Sequence, residues 1–144
     1  MNANPAEGCI EIVKKDVIDA FQADGAVERC FVAFNGSPYM MMFKPAGARD
    51  EFVAHLKEFC KKLGVLLIVF VCEDTLLDSD NVNREYDALL FYYESLWERR
   101  AFAWPILRRE PDGCVGHEVP VSHDQLDKIL PKVLTIPLPP HLAN

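Results

Sequence analysis

The run Val65-Leu-Leu-Ile-Val-Phe-Val-Cys72 constrains this chain more than any other stretch. Its residues are apolar without alternation. A strand with that pattern is buried on both faces, or nearly so, rather than on one. The segments around it must therefore supply a sheet for it to sit in and helices to cover it.

Those segments can be read in order. Residues 5–23 form a helix: Asn4 can cap it, Pro5 suits the first helical position, and positions 10, 13, 17, 20 and 21 make one apolar stripe. Asp24-Gly25 ends it. "VERCFVAF" (27–34) and "YMMMFK" (39–44) flank Asn35-Gly36, a strong hairpin signal. The three methionines are soft and adaptable, suited to a sheet edge and, more often, to core filling. Residues 48–64 form an amphipathic helix with Phe52, Val53, Leu56, Phe59, Cys60 and Leu63 on one face, closed by Gly64. After the 65–72 strand, residues 84–98 admit both a helix and a strand; the aromatic density of "LLFYYE" favours a strand over 87–94. Residues 99–109 alternate like a strand, with Pro105 marking an edge or bulge. "EPDG" (110–113) is a type I turn signal, and residues 114–121 return. Ser122 caps a final helix over 123–134, which Pro131 is placed to shorten or kink.

The expected fold class is α+β: an N-terminal hairpin and a C-terminal meander in one antiparallel sheet, with helices over a face, in the order α-β-β-α-β-β-β-β-α. This element order resembles that of profilin-like and roadblock-like folds, in order alone. The expected organisation is one domain over 1–134 with a Pro-rich extended tail over 135–144. With 144 residues, half of them apolar, the chain can bury a sizeable core.

Composition narrows function. The net charge of −7 disfavours nucleic acid, which recruits lysine and arginine against phosphate. No run is long and apolar enough for a bilayer, and "MNANPAEG" lacks the features of a signal peptide. Five cysteines in mostly apolar runs, without a disulfide spacing, fit reduced thiols in the cytoplasm.

Several constellations bear on chemistry. "CEDTLLDSDN" (72–81) offers Glu73, Asp74, Asp78 and Asp80 as oxygens for Mg²⁺ or Mn²⁺, the basis of a metal-dependent hydrolase or nuclease. Their spacing matches no ligand rule, and an acidic, solvated loop between two strands is the simpler account. Cys114, His117 and His123 stand at a spacing usable by zinc but lack a fourth ligand; ordinary hairpin and helix positions explain them as well. His55, between Val53 and Leu56, reads as a helix-boundary residue. No nucleophile elbow and no phosphate-cradling glycine loop is present, so no catalysis is evident and no cofactor is expected.

Residues 73–94 carry seven acids and one base, while 98–110 carry four arginines and two acids. Six aromatics fall within 91–104. With helices on one face, a small sheet leaves some exposed, and exposed aromatic patches flanked by arginine mark interfaces. Phe91, Tyr93, Trp97, Arg100, Phe102 and Trp104 are the expected contact residues, with a protein partner or a second copy in a homodimer as occupant. A small-molecule sensor with a pocket between sheet and helix is the remaining alternative.

Overall fold

The computed structural model describes residues 5–36, 41–43, 48–78 and 81–134, with the side chains of 5, 6, 43, 78 and 81–83 excepted. Helix α1 (Pro5–Asp24) is followed by strands β1 (Cys30–Phe34) and β2 (Met41–Phe43) and helix α2 (Arg49–Leu63). Then come β3 (Leu67–Asp78), β4 (Asn81–Ser95), β5 (Arg99–Arg108), β6 (Cys114–Val115) and β7 (Val119–Pro120). A 3₁₀ turn (His123–Gln125) leads into a short helix, α3 (Leu126–Ile129). The strands form one antiparallel sheet ordered β2-β1-β3-β4-β5-β6, with β7 also on β5. The fold is α+β in the order read from sequence, and residues 84–98 belong to a strand and its turn.

Strand alternation divides the core into two halves. Val69, Val71, Leu89, Phe91 and Tyr93 point to one side, where Ile10, Val13, Val17 and Phe21 of α1 cover them. Ile68, Phe70, Cys72, Leu90 and Tyr92 point to the other, under Val53, Leu56 and Cys60 of α2 and Leu126, Leu130, Val133 and Leu134. This corrects the expectation of helices over a single face. β3 and β4 are central strands buried on both sides, as the unbroken apolar run over 65–72 demands.

Three other expectations change. The stretch from Cys72 onward is not a loop. β3 continues to Asp78 and pairs with β4 through Leu77↔Glu85. Beyond Val71, β1 has stopped, and beyond Ala88, β5 no longer follows β4, so the two strands run on as a ribbon. The final helix ends at Ile129, because Leu130 precedes Pro131 and is driven to extended backbone at φ −155°. Ser122 stands at the start of the 3₁₀ turn without making a side-chain cap. Met42, finally, is 72% exposed rather than core, because β2 is an edge strand that α1 does not reach.

Two contacts lock α1 to the sheet. Gly113 after β5 lies so close to α1 that an added Cβ would stand 2.0 Å from the Phe21 carbonyl oxygen, and its N–H donates to Gln22 O at 3.1 Å. Gly25 has φ +71° and would meet the Arg109 carbonyl.

The C-terminal segment is held differently. Glu94 is fully buried at the end of β4. Its carboxylate accepts hydrogen bonds from the Val133 N–H (2.9 Å), the Leu134 N–H and the Tyr92 hydroxyl (3.1 Å). The Tyr92 oxygen accepts in turn from Arg99 Nε at 3.0 Å, and Arg99 reaches the Leu130 carbonyl and Asp127. Burial, then the neighbouring Glu94 charge, raises the Tyr92 pKa, so the phenol stays a donor.

Replacing Glu94 with alanine strands two buried amides. At roughly 1.5–3 kcal/mol per hydrogen bond to a charged group, Glu94→Ala is expected to destabilise the protein by about 3 kcal/mol or more. Urea unfolding reads the loss. Amide exchange at Val133 and Leu134 reads its location, and unchanged protection there would contradict the assignment.

Candidate functional site

A concavity lies on the α2 side, where α2, α3 and the root of the β3–β4 ribbon meet. It encloses about 290 Å³. Alternation on β1, β3 and β4 brings Phe31, Phe70 and Leu90 to its floor, and the first turns of α2 add Phe52 and Val53. Phe31 and Phe70 stack at 4.5 Å with planes 17° apart, and Phe52 leans on Phe31 at 4.9 Å. Ile129 and Leu130 close the α3 side.

The rim is charged. Arg29 precedes β1, Arg49 opens α2, Lys128 lies on α3 and Asp74 on the ribbon; all four are exposed. Arg49 Nη2 donates to the carbonyls of Asp127 (3.2 Å) and Lys128 (3.5 Å), tying α2 to α3 across the cleft. Cys72 sits in the wall. Burial, then the Asp74 charge, pushes its thiol up to about 12, so it is a packed thiol and not a nucleophile at neutral pH.

None of the rim cations was singled out by sequence spacing. One local signal was available: Arg49 occupies the first turn of a helix, where the dipole favours acids. A residue that breaks a local rule is where a site is worth seeking.

A second groove of about 360 Å³, lined by Cys60, Val65, Leu66, Leu96 and Val133, has Lys57, Glu58 and Lys61 at its edge. It lacks the three converging cations of the first.

The acidic cluster comes apart in the structure. Alternation sends Glu73 to the α1 face and Asp74 to the α2 face. Glu73 accepts from Arg109 Nη2 at 2.7 Å and from the Val27 N–H at 2.8 Å, while Arg109 Nη1 donates to the Gly25 carbonyl. It is a clamp on the α1–β1 connection. Asp74 accepts from the Thr75 N–H next to it. The Asp78 side chain and all of Asp80 lie outside the described residues. Among the described residues, no group of three or more His, Cys, Asp or Glu is arranged to hold a metal.

Cys114, His117 and His123 are likewise separate. Cys114 pairs with Arg108 at one end of β5, whereas Val121, two residues before His123, bonds Ala101 near the other. Seven residues of strand between those anchor points span about 20 Å, too far for one zinc ion.

The expected interface residues divide. Phe91, Tyr93 and Trp104 lie in the core under α1, with Phe91 and Trp104 edge to face at 6.1 Å. Phe102 is half-buried, with Lys14 Nζ 4.3 Å above its ring. Cover on both faces is what removes these rings from the surface. Arg100 remains exposed and pairs with Glu98 at 2.6 Å. Trp97 stands at the tip of the β4–β5 turn, 81% exposed.

Comparison with family models, curated proteins and solved structures finds no match for this chain.

The Arg109 guanidinium holds the Glu73 carboxyl below its ordinary value. A lowered folded pKa stabilises above the unfolded value, near 4.3, and the contribution is lost as pH falls through the folded value. The pair is partly exposed, so the effect is about 0.5 kcal/mol. Glu73→Gln is expected to lower stability at pH 7 and to flatten the acid limb below about pH 4. Parallel pH–stability curves for the two proteins would refute this.

Proposed function

We propose that the chain works by binding a small molecule in the cleft between α2, α3 and the sheet, in the manner of a sensor or carrier domain. The observation that carries this reading is an aromatic floor under a rim of converging charged groups. Ligand sites combine a largely apolar cavity with a few placed polar groups in this way, and 290 Å³ is at the small end of their usual range. Two of the reactive groups in the cleft lining are otherwise committed: Cys72 is held as a thiol, and Glu73 is engaged by Arg109.

A second reading is partner binding or self-association, supported by Trp97. A tryptophan 81% exposed on a tight turn, beside Arg100, has the composition of an interface anchor. The partner would be a protein or a second copy. The net charge supports neither nucleic acid nor an anionic membrane surface, and no described helix is long and apolar enough to cross a membrane. Five cysteines in mostly apolar runs, without a disulfide spacing, support a reducing, cytoplasmic compartment.

The two readings have separate tests. A fragment screen followed by ¹H–¹⁵N spectra is expected to perturb the amides of Phe31, Phe52, Phe70 and Leu90. Ile129→Trp, which fills the mouth of the cleft, should abolish those shifts while the rest of the spectrum stays dispersed, as for a folded protein. Perturbations confined to other surfaces would remove the proposal.

For self-association, light scattering over a concentration series is expected to show a dimer that Trp97→Ala returns to monomer. A wild-type protein monomeric at every concentration would leave only a different partner for Trp97.

A further inference from the structure

The charge of the rim runs against that of the whole chain. A protein of net charge −7 gathers Arg29, Arg49 and Lys128 around one concavity. Two carboxylates share the lining. Glu73 is neutralised by Arg109 at 2.7 Å on the opposite face of the sheet, which leaves Asp74 alone against three cations. The three come from separate stretches, the lead into β1, α2 and α3, so no single solvated helix face accounts for their meeting. Arg49 is fixed by its bonds to the Asp127 and Lys128 carbonyls, which places its guanidinium over the gap between α2 and α3.

The space beneath sets the size of the occupant. At roughly 30 Å³ for each water in the liquid, 290 Å³ corresponds to on the order of ten non-hydrogen atoms. Phe31 and Phe70 are buried against each other, and the half-buried Phe52 that leans on them offers an aromatic wall for a flat apolar body. Arginine forks match a carboxylate in two parallel hydrogen bonds, and Asp74 opposes a second negative charge on the same ligand.

Resting on the small-molecule reading above, we propose that the ligand is a small aromatic or compact apolar monocarboxylate. Its ring packs against half-buried Phe52 beside the Phe31–Phe70 stack, and its carboxylate meets Arg29, Arg49 and Lys128. The cleft selects against the neutral analogue by charge and against a dianion by Asp74.

The test uses the full chain and three probes of similar size: 3-phenylpropionate, 3-phenylpropanol and phenethyl phosphate, titrated by ¹H–¹⁵N shifts. The acid is expected to bind at least tenfold more tightly than the alcohol and more tightly than the phosphate. That advantage should shrink between about 50 and 500 mM salt as the charges are screened. Arg29→Gln is expected to narrow the gap between acid and alcohol, and Arg29→Lys to restore part of it. Equal affinity for acid and alcohol at the cleft overturns the monocarboxylate assignment while leaving the cleft as a binding site. Tighter binding of the phosphate overturns the preference for a single charge. Binding of none of the three at the cleft overturns the assignment, and a fragment screen without cleft shifts removes the small-molecule reading beneath it.

Discussion

One buried carboxylate organises half of this protein. Glu94 ends the longest strand inside the sheet, where an acid is costly unless its oxygens are fully bonded. The bonds come from the backbone of Val133 and Leu134, two amides that Pro131 has prevented from joining a helix. Each side satisfies the other. The Tyr92 hydroxyl links the carboxylate to Arg99, and Arg99 holds the Leu130 carbonyl and Asp127. Through this chain of polar contacts the segment from Leu126 to Leu134 becomes the second roof element of the α2 face, beside α2 itself.

The cleft is a consequence of that placement. α2 and the α3 segment are separate pieces over one apolar cluster, tied to each other by Arg49. Where they part a gap is left, with half-buried Phe52 in its wall and cationic residues at its edges. On the other face α1 is one unbroken helix, and its C-terminal end is locked at Gly25 and Gly113. That face buries Phe91, Tyr93 and Trp104.

The distribution of charge follows the same division. The acids after Cys72 decorate a ribbon that extends beyond the neighbouring strands, where solvation is available on both sides. Glu73, at its root, is drawn back by Arg109, so two segments of opposite local charge meet within one molecule. Part of the contrast between residues 73–94 and 98–110 goes into holding α1 in place.

Local physics made much of this legible in sequence. The unbroken run over 65–72 required a strand covered on both faces, the 3.6-residue stripes marked α1 and α2, and Gly64 and Pro131 marked where helices end. The aromatic density near residue 91 identified β4, although it could not say which rings would be covered. What the sequence left open depends on residues far apart in the chain. Whether Glu73 binds a metal or Arg109 is decided by strand parity and by a partner 36 positions away. Whether Phe91 and Trp104 are interface or core depends on α1 crossing the opposite face from α2. The meeting of Arg29, Arg49 and Lys128 has no spacing rule, because three elements converge only after the sheet has formed. Periodicity is a property of neighbours along the chain and is written in the sequence; a cleft is a property of neighbours in space, and only the tertiary fold sets it.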